Sequence, residues 1–238
     1  MKEEKKTKDL IIKELQKMQE KIAELEKVKV KCNQLENELK QSYKKLKKFM
    51  ESIAYIITEI VEIRDPYLIG HHQRVSKLAT AIAQEMKLSQ DKIEGVRFAS
   101  LVHDVGKVNL PTEFVSKPSK LMEVEFNFIK NYPKISYNIL KKVDFPWPIA
   151  EIVFQHQERV DGSGYPRGLK GDEIIIEAKI LGVANVVEAM SSSRSYRPAL
   201  SIEGSLAEIL KNKNILFDPE VADTCLKLFK EKGFKFEE

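Results

Sequence analysis

The side chains best suited to metal or phosphate chemistry are four histidines and an aspartate that directly follows one of them. The histidines are His71, His72, His103 and His156, and Asp104 follows His103. An imidazole beside a carboxylate offers nitrogen and oxygen donors, which suit Mn, Fe, Zn or Mg better than a thiolate-seeking metal. The two cysteines lie 193 positions apart and in no metal-type spacing, so we expect a sulfur-free site and a cytoplasmic protein.

Helices must position these groups, because helical periodicity fills most of the chain beyond residue 64. Apolar residues from Val75 to Met86 share one face of a helix that begins near Gly70, and Ser89 is a plausible N-cap for a helix that runs to about Val105 and stops at Gly106. Further helices are predicted near 122–131, 133–142, 147–158, 175–191, 202–212 and 218–230. The segment 161–171, DGSGYPRGLKG, is a turn with four glycines and one proline. No hairpin pattern stands out, so the fold class is all-α.

Four segments around these histidines resemble one family in their order and content. They read GHHQRV, LVHDVGK, QHQERVDGSGYPRGLKGDE and ILGVANVVEAMSSSRSYRPAL. Together they are similar to the HD-GYP branch of the HD metal-dependent phosphohydrolases, with His103-Asp104 as the HD pair and Gly164-Tyr165-Pro166 as the GYP signature. The resemblance covers about residues 62–230, and several spaced motifs in order make a chance match improbable.

The resemblance implies an HD-type helical bundle that binds two or three metals, usually Fe or Mn, and hydrolyses cyclic di-GMP. In that chemistry the metals activate a water and neutralise the phosphate under attack. The residues that match the family's metal ligands are His71, His103, Asp104 and His156, with Asn185 at a further ligand position. Lys107 matches a lysine that contacts the scissile phosphate, so Lys107 and Asp104 are the expected catalytic pair. The residues that match nucleotide-binding positions are Asp65, Lys107, Gly164, Tyr165, Pro166, Arg194 and Arg197.

Several ligand positions depart from the family pattern. Tyr132 and Gln157 stand where the family usually has histidines, and Asn185 stands where it has aspartate. Trinuclear members have a carboxylate where this chain has Tyr67. Phenol and amide groups are poorer ligands than imidazole for these ions, and an amide oxygen brings no negative charge. A mononuclear or metal-free site is therefore expected, with the second metal the first to be lost.

Four hypotheses on function remain open. The favoured one is a cyclic di-GMP signalling protein with a degraded metal site, which binds the nucleotide with weak or lost phosphodiesterase activity. The alternatives are an active metal-dependent phosphodiesterase that tolerates the altered ligands, a broader HD-type hydrolase that acts on a related phosphate ester, and a catalytically inert protein-interaction module. The histidines could also be satisfied core residues. His72 is expected to face solvent beside His71, and Glu188 is expected to form local hydrogen bonds instead of binding metal.

The first 60 residues are predicted to form a coiled-coil helix that joins two copies of the chain, ahead of an HD-GYP domain over 61–238. Steps of four and three from Ile11 to Ile60 meet apolar residues at thirteen of fifteen positions, and residues 1–48 contain no Gly or Pro. From about residue 8 to 63 the rod would measure roughly 80 Å. A frayed helix packed on its own domain is the alternative. Regulatory input is expected through this helix, a signalling protein partner or the nucleotide.

The charge distribution argues against a nucleic-acid polymer as a partner. The net charge is +4, but residues 1–48 hold 15 lysines and 9 acidic residues, and the other 190 residues carry a net charge of −2. The basic excess therefore belongs to the rod. No membrane span is predicted, because the most apolar stretch, 174–190, is interrupted by Glu177, Lys179 and Glu188. The N-terminus is not typical of a signal peptide.

Overall fold

A computed structural model describes residues 2–64, 66–115, 117, 122–193 and 198–236. The α-helices in those residues are α1 (Lys2–Glu62), α2 (His71–Glu85), α3 (Gln90–Val102), α4 (Thr112–Val115), α5 (Glu123–Ile129), α6 (Tyr132–Leu140), α7 (Ile149–Gln155), α8 (Ile176–Ser191), α9 (Ile202–Lys211) and α10 (Pro219–Lys230). Short 3-10 helices cover Pro66–Leu68, Val105–Asn109 and Gly171–Glu173. Within the described residues the only β-type pairings are isolated bridges, so the all-α prediction is confirmed.

The chain divides into two compact units, residues 1–52 and residues 53–238. The first unit consists of α1 up to Ser52, and the predicted long N-terminal helix is confirmed. Apolar side chains of its predicted seam are largely exposed, among them Ile22 at 55% and Leu39 at 72%. No helix in the described ranges is both long and apolar enough to cross a membrane.

The second unit is built around four helices that pack on one another. Helix α2 packs on α3 and α8, and α7 contacts both α3 and α8. Its core is aliphatic, with fully buried side chains such as Leu78, Ile82, Ile152 and Leu181. Helix α10 covers α2 and α8, α9 covers α8, and α6 lies on α7. This bundle places the predicted site at the helix ends where α2, α3, α6 and α7 meet.

The predicted helix from Ser89 to about Val105 ends earlier than expected. Helix α3 stops at Val102, His103 and Asp104 form a turn, and Gly106 lies inside the following 3-10 helix instead of ending a helix. A Cβ on Gly106 would lie 2.4 Å from the Tyr132 carbonyl oxygen, so this position is glycine because α6 presses against the turn. Ser136 of α6 fixes the contact, since its Oγ accepts from the Gly106 amide at 2.8 Å and donates to the His103 carbonyl at 3.1 Å.

Candidate metal centre

The residues predicted to bind metal lie on different helices of the second unit. His71 and His72 begin α2, the His103-Asp104 turn follows α3, His156 caps the end of α7, and Asn185 lies half-buried on α8. All four histidines are at most 2% exposed. Their rings form a continuous group, with centroids of neighbouring rings 5.1 to 5.5 Å apart. Helix packing thus brings together histidines of three different segments, which lie 31 to 85 residues apart in the sequence.

His71, His103 and Asp104, together called the HD cluster, form the one group of described His, Cys, Asp or Glu side chains that could hold a metal ion. One ligand atom from each residue lies within 4.8 Å of the others, and all three residues are buried. His156 lies outside this group, although its ring centroid is 5.2 Å from that of His103. The structure therefore brings together three of the five predicted ligands as one candidate site.

The buried ligand atoms are poorly satisfied by the protein itself. Among the described residues, four buried side-chain polar atoms make no hydrogen bond, and three of them are His72 Nε2, His103 Nε2 and Asp104 Oδ1. A buried polar atom without a partner is destabilising by about 1–3 kcal/mol, so such atoms seldom gather without a ligand. Nitrogen and carboxylate oxygen donors directed into one place suit a divalent cation. The residues present therefore fit the metal that the family resemblance implies.

The protonation states at the HD cluster also suit a cation. Burial lowers the pKa of His103 well below its usual range, and its Nδ1 donates to the Ser100 carbonyl at 2.8 Å. The ring is thus neutral, with its lone pair on Nε2. Burial works against ionisation of Asp104, but Lys107 and His72 outweigh it and hold the pKa of this carboxyl well below its usual range. A neutral imidazole and an ionised carboxylate are the forms that bind metal.

His71 is held by a carboxylate of α8. Glu188, which is fully buried, receives a hydrogen bond from His71 Nδ1 and others from Arg74 Nε at 2.8 Å and Ser192 Oγ at 2.8 Å. This agrees with the prediction that Glu188 forms local hydrogen bonds. Asn185 precedes Glu188 by one turn of the same helix. The role of Asn185 as a metal ligand stays a prediction.

Tyr132, His156 and Gln157 form a second group, called the tyrosine triad. The Tyr132 hydroxyl lies 2.9 Å from His156 Nε2, and the Gln157 amide nitrogen lies 2.8 Å from the same hydroxyl. His156 Nδ1 donates to the Val153 carbonyl at 2.6 Å, so Nε2 is the acceptor of the phenol proton. Burial lowers the pKa of His156 to about 4, and it raises the pKa of Tyr132 well above its usual range. Both groups are therefore neutral, and they satisfy each other.

Lys107 contacts both the HD cluster and the tyrosine triad. Its Nζ lies 2.7 Å from Asp104 Oδ2 and 5.1 Å from the centroid of the Tyr132 ring. The side chain is 23% exposed, so this cation retains access to solvent. Coulomb attraction between this ammonium and the Asp104 carboxylate is stronger in a partly buried site than in water.

The GYP loop packs beside the tyrosine triad. The Tyr165 amide donates to the Gln157 carbonyl at 3.2 Å, and burial raises the pKa of Tyr165 to about 12. A Cβ on Gly164 would lie 2.4 Å from Glu158 Cα, so the glycine allows two backbones to pack in contact. Glu158 holds the loop through its carboxylate oxygens, which accept from the Arg167 amide at 2.7 Å and the Leu169 amide at 3.0 Å. Pro166 follows within this loop, through a cis peptide bond.

The prediction that His72 faces solvent is wrong. His72 is 1% exposed, its Nδ1 lies 2.9 Å from Glu62 Oε1, and its Nε2 lies 3.6 Å from Asp104 Oδ2. Burial works against protonation of this ring, but Asp104 and Glu62 outweigh it and raise the pKa of His72. The start of α2 is enclosed by the end of α1, which local periodicity in the α2 segment does not reveal. Three predicted nucleotide-binding residues, Asp65, Arg194 and Arg197, lie outside the described residues.

A helical domain with a buried histidine–aspartate centre and a glycine-rich loop is the architecture of HD-type metal-dependent phosphohydrolases. The family model described as HD domain matches residues 55–221 of this chain. The chain therefore belongs to the HD domain family, and the HD-GYP resemblance is confirmed.

Relatives with named activities are phosphodiesterases of cyclic dinucleotides, some named for cyclic di-GMP and others for 3'3'-cGAMP. The chain is 34% identical over 204 residues to the cyclic di-GMP phosphodiesterase response regulator RpfG of Xanthomonas campestris. This alignment covers 85% of the present chain and 54% of the relative. It is 36% identical over 209 residues to a cyclic di-GMP phosphodiesterase of Thermotoga maritima, with coverage of 87% and 57%. The chain thus spans little more than half the length of these relatives.

The fold is also found among solved structures. Bd1817, an HDG"Y"P protein from Bdellovibrio bacteriovorus, superposes with a TM-score of 0.57 at 19% sequence identity. The match covers 69% of this chain and 53% of that protein. At this identity the likeness concerns the fold, and it supports the HD-type helical bundle.

Proposed function

We propose that this chain binds cyclic di-GMP at the HD cluster through a single divalent cation, Fe or Mn, and hydrolyses the nucleotide weakly or not at all. The observation that carries the proposal is that the HD cluster and the tyrosine triad differ in how far their ligand atoms are hydrogen-bonded. Buried ligand atoms of His103 and Asp104 have no partner among the described residues, whereas His156 is fully hydrogen-bonded within the tyrosine triad. A site for one cation is open, and the position of a second is closed by the protein's own hydrogen bonds.

The HD cluster supplies the groups that would hold the cation. A divalent cation bound there would polarise a phosphate oxygen and acidify a bound water. His71 is oriented by Glu188, and His103 is oriented by the Ser100 carbonyl. Such partners fix the tautomer and the direction of a metal-binding imidazole. Asp104 is the only carboxylate of the cluster, so one cation is better neutralised than two.

The tyrosine triad would have to be dismantled before a second cation could bind. Nε2 is the only atom with which a neutral His156 can bind metal, because Nδ1 donates to Val153. That lone pair accepts a hydrogen bond from the Tyr132 hydroxyl, whose oxygen lies 2.9 Å away. Loss of the proton from Tyr132 is opposed by burial, which raises the pKa of the phenol well above its usual range. These contacts support weak or absent hydrolysis, because paired metal ions stabilise both the attacking and the leaving oxygen.

Lys107 and the GYP loop are the parts of the site that suit the nucleotide. The Lys107 ammonium is partly exposed and directed at the cluster, where it can pair with an anionic phosphodiester. Gly164, Tyr165 and Pro166 form the adjoining wall, since Tyr165 is bound to the Gln157 backbone.

Metal analysis and calorimetry on the same sample test the proposal. The protein is purified from cells grown with added iron and manganese, its metals are counted, and cyclic di-GMP is titrated by calorimetry while product is measured chromatographically. We expect about one ion per chain, nucleotide binding and slow or undetectable turnover. About two ions with rapid turnover would instead support the active phosphodiesterase. Absence of both metal and nucleotide binding would contradict the proposal and support the protein-interaction module.

We also infer that residues 1–60 form a homodimer through a parallel coiled coil. The apolar seam follows a 3.5-residue period, and side chains such as Ile22 and Leu25 are more than half exposed in one chain. Burial of that seam against a second copy would remove it from water. In sedimentation experiments, Leu25→Lys should weaken the dimer strongly, whereas Glu24→Gln beside it should not. If deletion of residues 1–48 left the dimer affinity unchanged, the seam would not be the dimer contact.

A further inference from the structure

We propose that the last three turns of α1 form a dimer contact with a second copy of the chain, and that this contact and metal binding at the HD cluster strengthen each other through Glu62. The inference rests on the proposed metal centre and the proposed dimer, and it adds a link between the two. The observations that carry it concern residues 53–72 and the segments that they touch, all within the second unit.

The last three turns of α1 have two apolar faces. One face is buried in its own domain, where Ala54, Thr58 and Val61 are at most 3% exposed. The opposite face is open, and its side chains, which are 42–78% exposed, are Ile53, Ile56, Ile60 and Ile63. Ile63 follows the helix, but its amide still donates to the Glu59 carbonyl at 2.9 Å. A helix that is apolar on both sides is normally buried on both, so the open face requires a partner.

A second copy is the partner that the spacing of the open face favours. Its isoleucines follow one another at steps of three, four and three residues, which is the spacing of a coiled-coil seam. The seam predicted for residues 11–60 arrives at the same face, since Ile53 and Ile60 belong to both. In a parallel coiled coil the two copies of each core residue meet, so one face supplies both sides of the contact. The seam therefore reaches Ile63, which adjoins Glu62.

The domain side of the same stretch is hydrogen-bonded to the segments around the HD pair. Thr58 Oγ1 donates to the Leu101 carbonyl at 2.9 Å, two residues before the pair. A guanidinium nitrogen of Arg64 donates to the Leu110 carbonyl at 2.9 Å, beyond the pair. The segment that contains the HD pair is thus held on both sides by residues 58–64.

Glu62 joins this stretch to the start of α2 and to the HD cluster. One of its carboxylate oxygens accepts from the Gly70 amide at 3.0 Å, and the other lies 2.9 Å from His72 Nδ1. The second nitrogen of that ring, Nε2, lies 3.6 Å from Asp104 Oδ2, within ion-pair distance. The chain of contacts from Glu62 through His72 therefore ends at a ligand of the proposed cation. Glu62 is 4% exposed, so water does not replace these contacts unless α1 moves.

The two faces of these turns explain why the two binding events should help each other. Helix ends open locally at low cost unless they are packed, and an end that unwinds loses the contacts of both its faces. A second copy on the open face keeps the turns helical and so keeps Glu62 behind the HD cluster. A cation at the cluster fixes Asp104 and, through His72, the same turns. Linkage then requires each event to strengthen the other by an equal factor, typically about 5- to 150-fold.

Sedimentation of the full-length protein with EDTA and with Mn²⁺ measures the dimer affinity in the two states. We expect Mn²⁺ to strengthen the wild-type dimer at least about 5-fold. Ile60→Lys places a charge in the seam, so it should weaken the dimer and lower the Mn²⁺ affinity, measured by calorimetry, at least about 5-fold. Ile215→Lys, at a similarly exposed isoleucine outside α1, is the matched control and should change neither. Ile56→Lys repeats the test if circular dichroism shows that Ile60→Lys is unfolded.

Glu62→Gln tests the link itself. The amide offers one acceptor oxygen in place of two, so it does not reproduce the contacts with both Gly70 and His72. The variant keeps the seam and should still dimerise, but saturating Mn²⁺ should strengthen its dimer less than about 2-fold. An effect of Mn²⁺ as large as in the wild type would mean that Glu62 is not the link.

Three results with the wild type would overturn the inference, and they differ in what they say about the proposed function. If Mn²⁺ binds but leaves the dimer affinity unchanged, the link is wrong and the metal centre stands. If the protein binds Mn²⁺ as a monomer at every concentration, the dimer proposal falls with the inference, and the metal centre again stands. If the protein binds no Mn²⁺, the metal centre is wrong as well.

Discussion

Restoration of the family's ligands should open the second metal position. The variant combines Tyr132→His, Gln157→His and Asn185→Asp. It removes the phenol that occupies His156 Nε2, places imidazoles where the phenol and amide stand, and adds a carboxylate one turn from Glu188. The expected metal content rises from about one to about two ions per chain, and hydrolysis of cyclic di-GMP should rise with it.

The structure also predicts that the variant's stability depends on metal. Without metal it loses the Tyr132–His156 and Gln157–Tyr132 hydrogen bonds, at about 1 kcal/mol each. A total of about 2 kcal/mol corresponds to a melting temperature about 4–8 °C lower than that of the metal-free wild type. Metal at 100 times its dissociation constant would raise the free energy of unfolding by about 2.7 kcal/mol, because it binds only the folded state. The metal-dependent rise should therefore be larger in the variant than in the wild type.

The assay is thermal unfolding with EDTA and with Mn²⁺, together with metal counting and a turnover measurement. The single variants are the controls, and their effects on metal content should not add up to that of the triple variant, because ligands of one metal act as a unit. A triple variant that folds but binds no second ion would refute the reasoning. That result would mean that the shape of the pocket, and not only its ligands, excludes the second metal.

Three further predictions concern packing and protonation in the second unit. Tyr132→Phe should lower the free energy of unfolding by about 1–3 kcal/mol, because His156 Nε2 loses its phenol donor, and an unchanged urea midpoint would contradict this. Gly164→Ala should destabilise the domain, since its Cβ would lie 2.4 Å from Glu158 Cα, whereas Gly204→Ala, with 3.5 Å to its nearest neighbour, should be neutral or about 1 kcal/mol stabilising. Similar melting temperatures for these two variants would contradict the close backbone contact between Gly164 and Glu158. In metal-free protein, His156 should contribute a loss of up to about 3 kcal/mol in stability as the pH drops from about 6.5 to 4, because the folded state keeps it neutral, with its pKa lowered to about 4, while the unfolded state takes up the proton. His103, whose pKa burial also lowers, should add to the slope in the same direction. His156→Gln should flatten that part of the pH profile, and an equally steep profile in this variant would assign the proton to another group.

Helical periodicity predicted most of the elements because each helix buries one apolar face. Val75 and Ile82 lie buried on the predicted face of α2, and α8 falls within one residue of its expected range at both ends. The end of α3 was predicted three residues too far along the chain. Apolar periodicity continues through Val105, but the contact between Gly106 and the Tyr132 backbone requires a tight turn there. That contact joins residues far apart in sequence, so a local pattern cannot contain it.

The sequence predicted those residues of the site that lie within the family's motifs. His71, His103 and Asp104 meet as the family resemblance implies. The burial of His72 was not predictable, because it depends on Glu62 at the end of another helix. The tyrosine triad could be foreseen only as a loss of ligands. The hydrogen bond that Tyr132 donates to His156, and that closes the second position, depends on the meeting of α6 and α7 in space.

Electron paramagnetic resonance of the protein titrated with Mn²⁺ tests the central claim most directly, because an isolated ion and an exchange-coupled pair give different spectra. The account predicts the spectrum of an isolated protein-bound ion that saturates at about one Mn²⁺ per chain. The wild-type tyrosine triad should keep any second ion out even at excess metal. The spectrum of a coupled Mn²⁺ pair would contradict the claim of a single-metal centre.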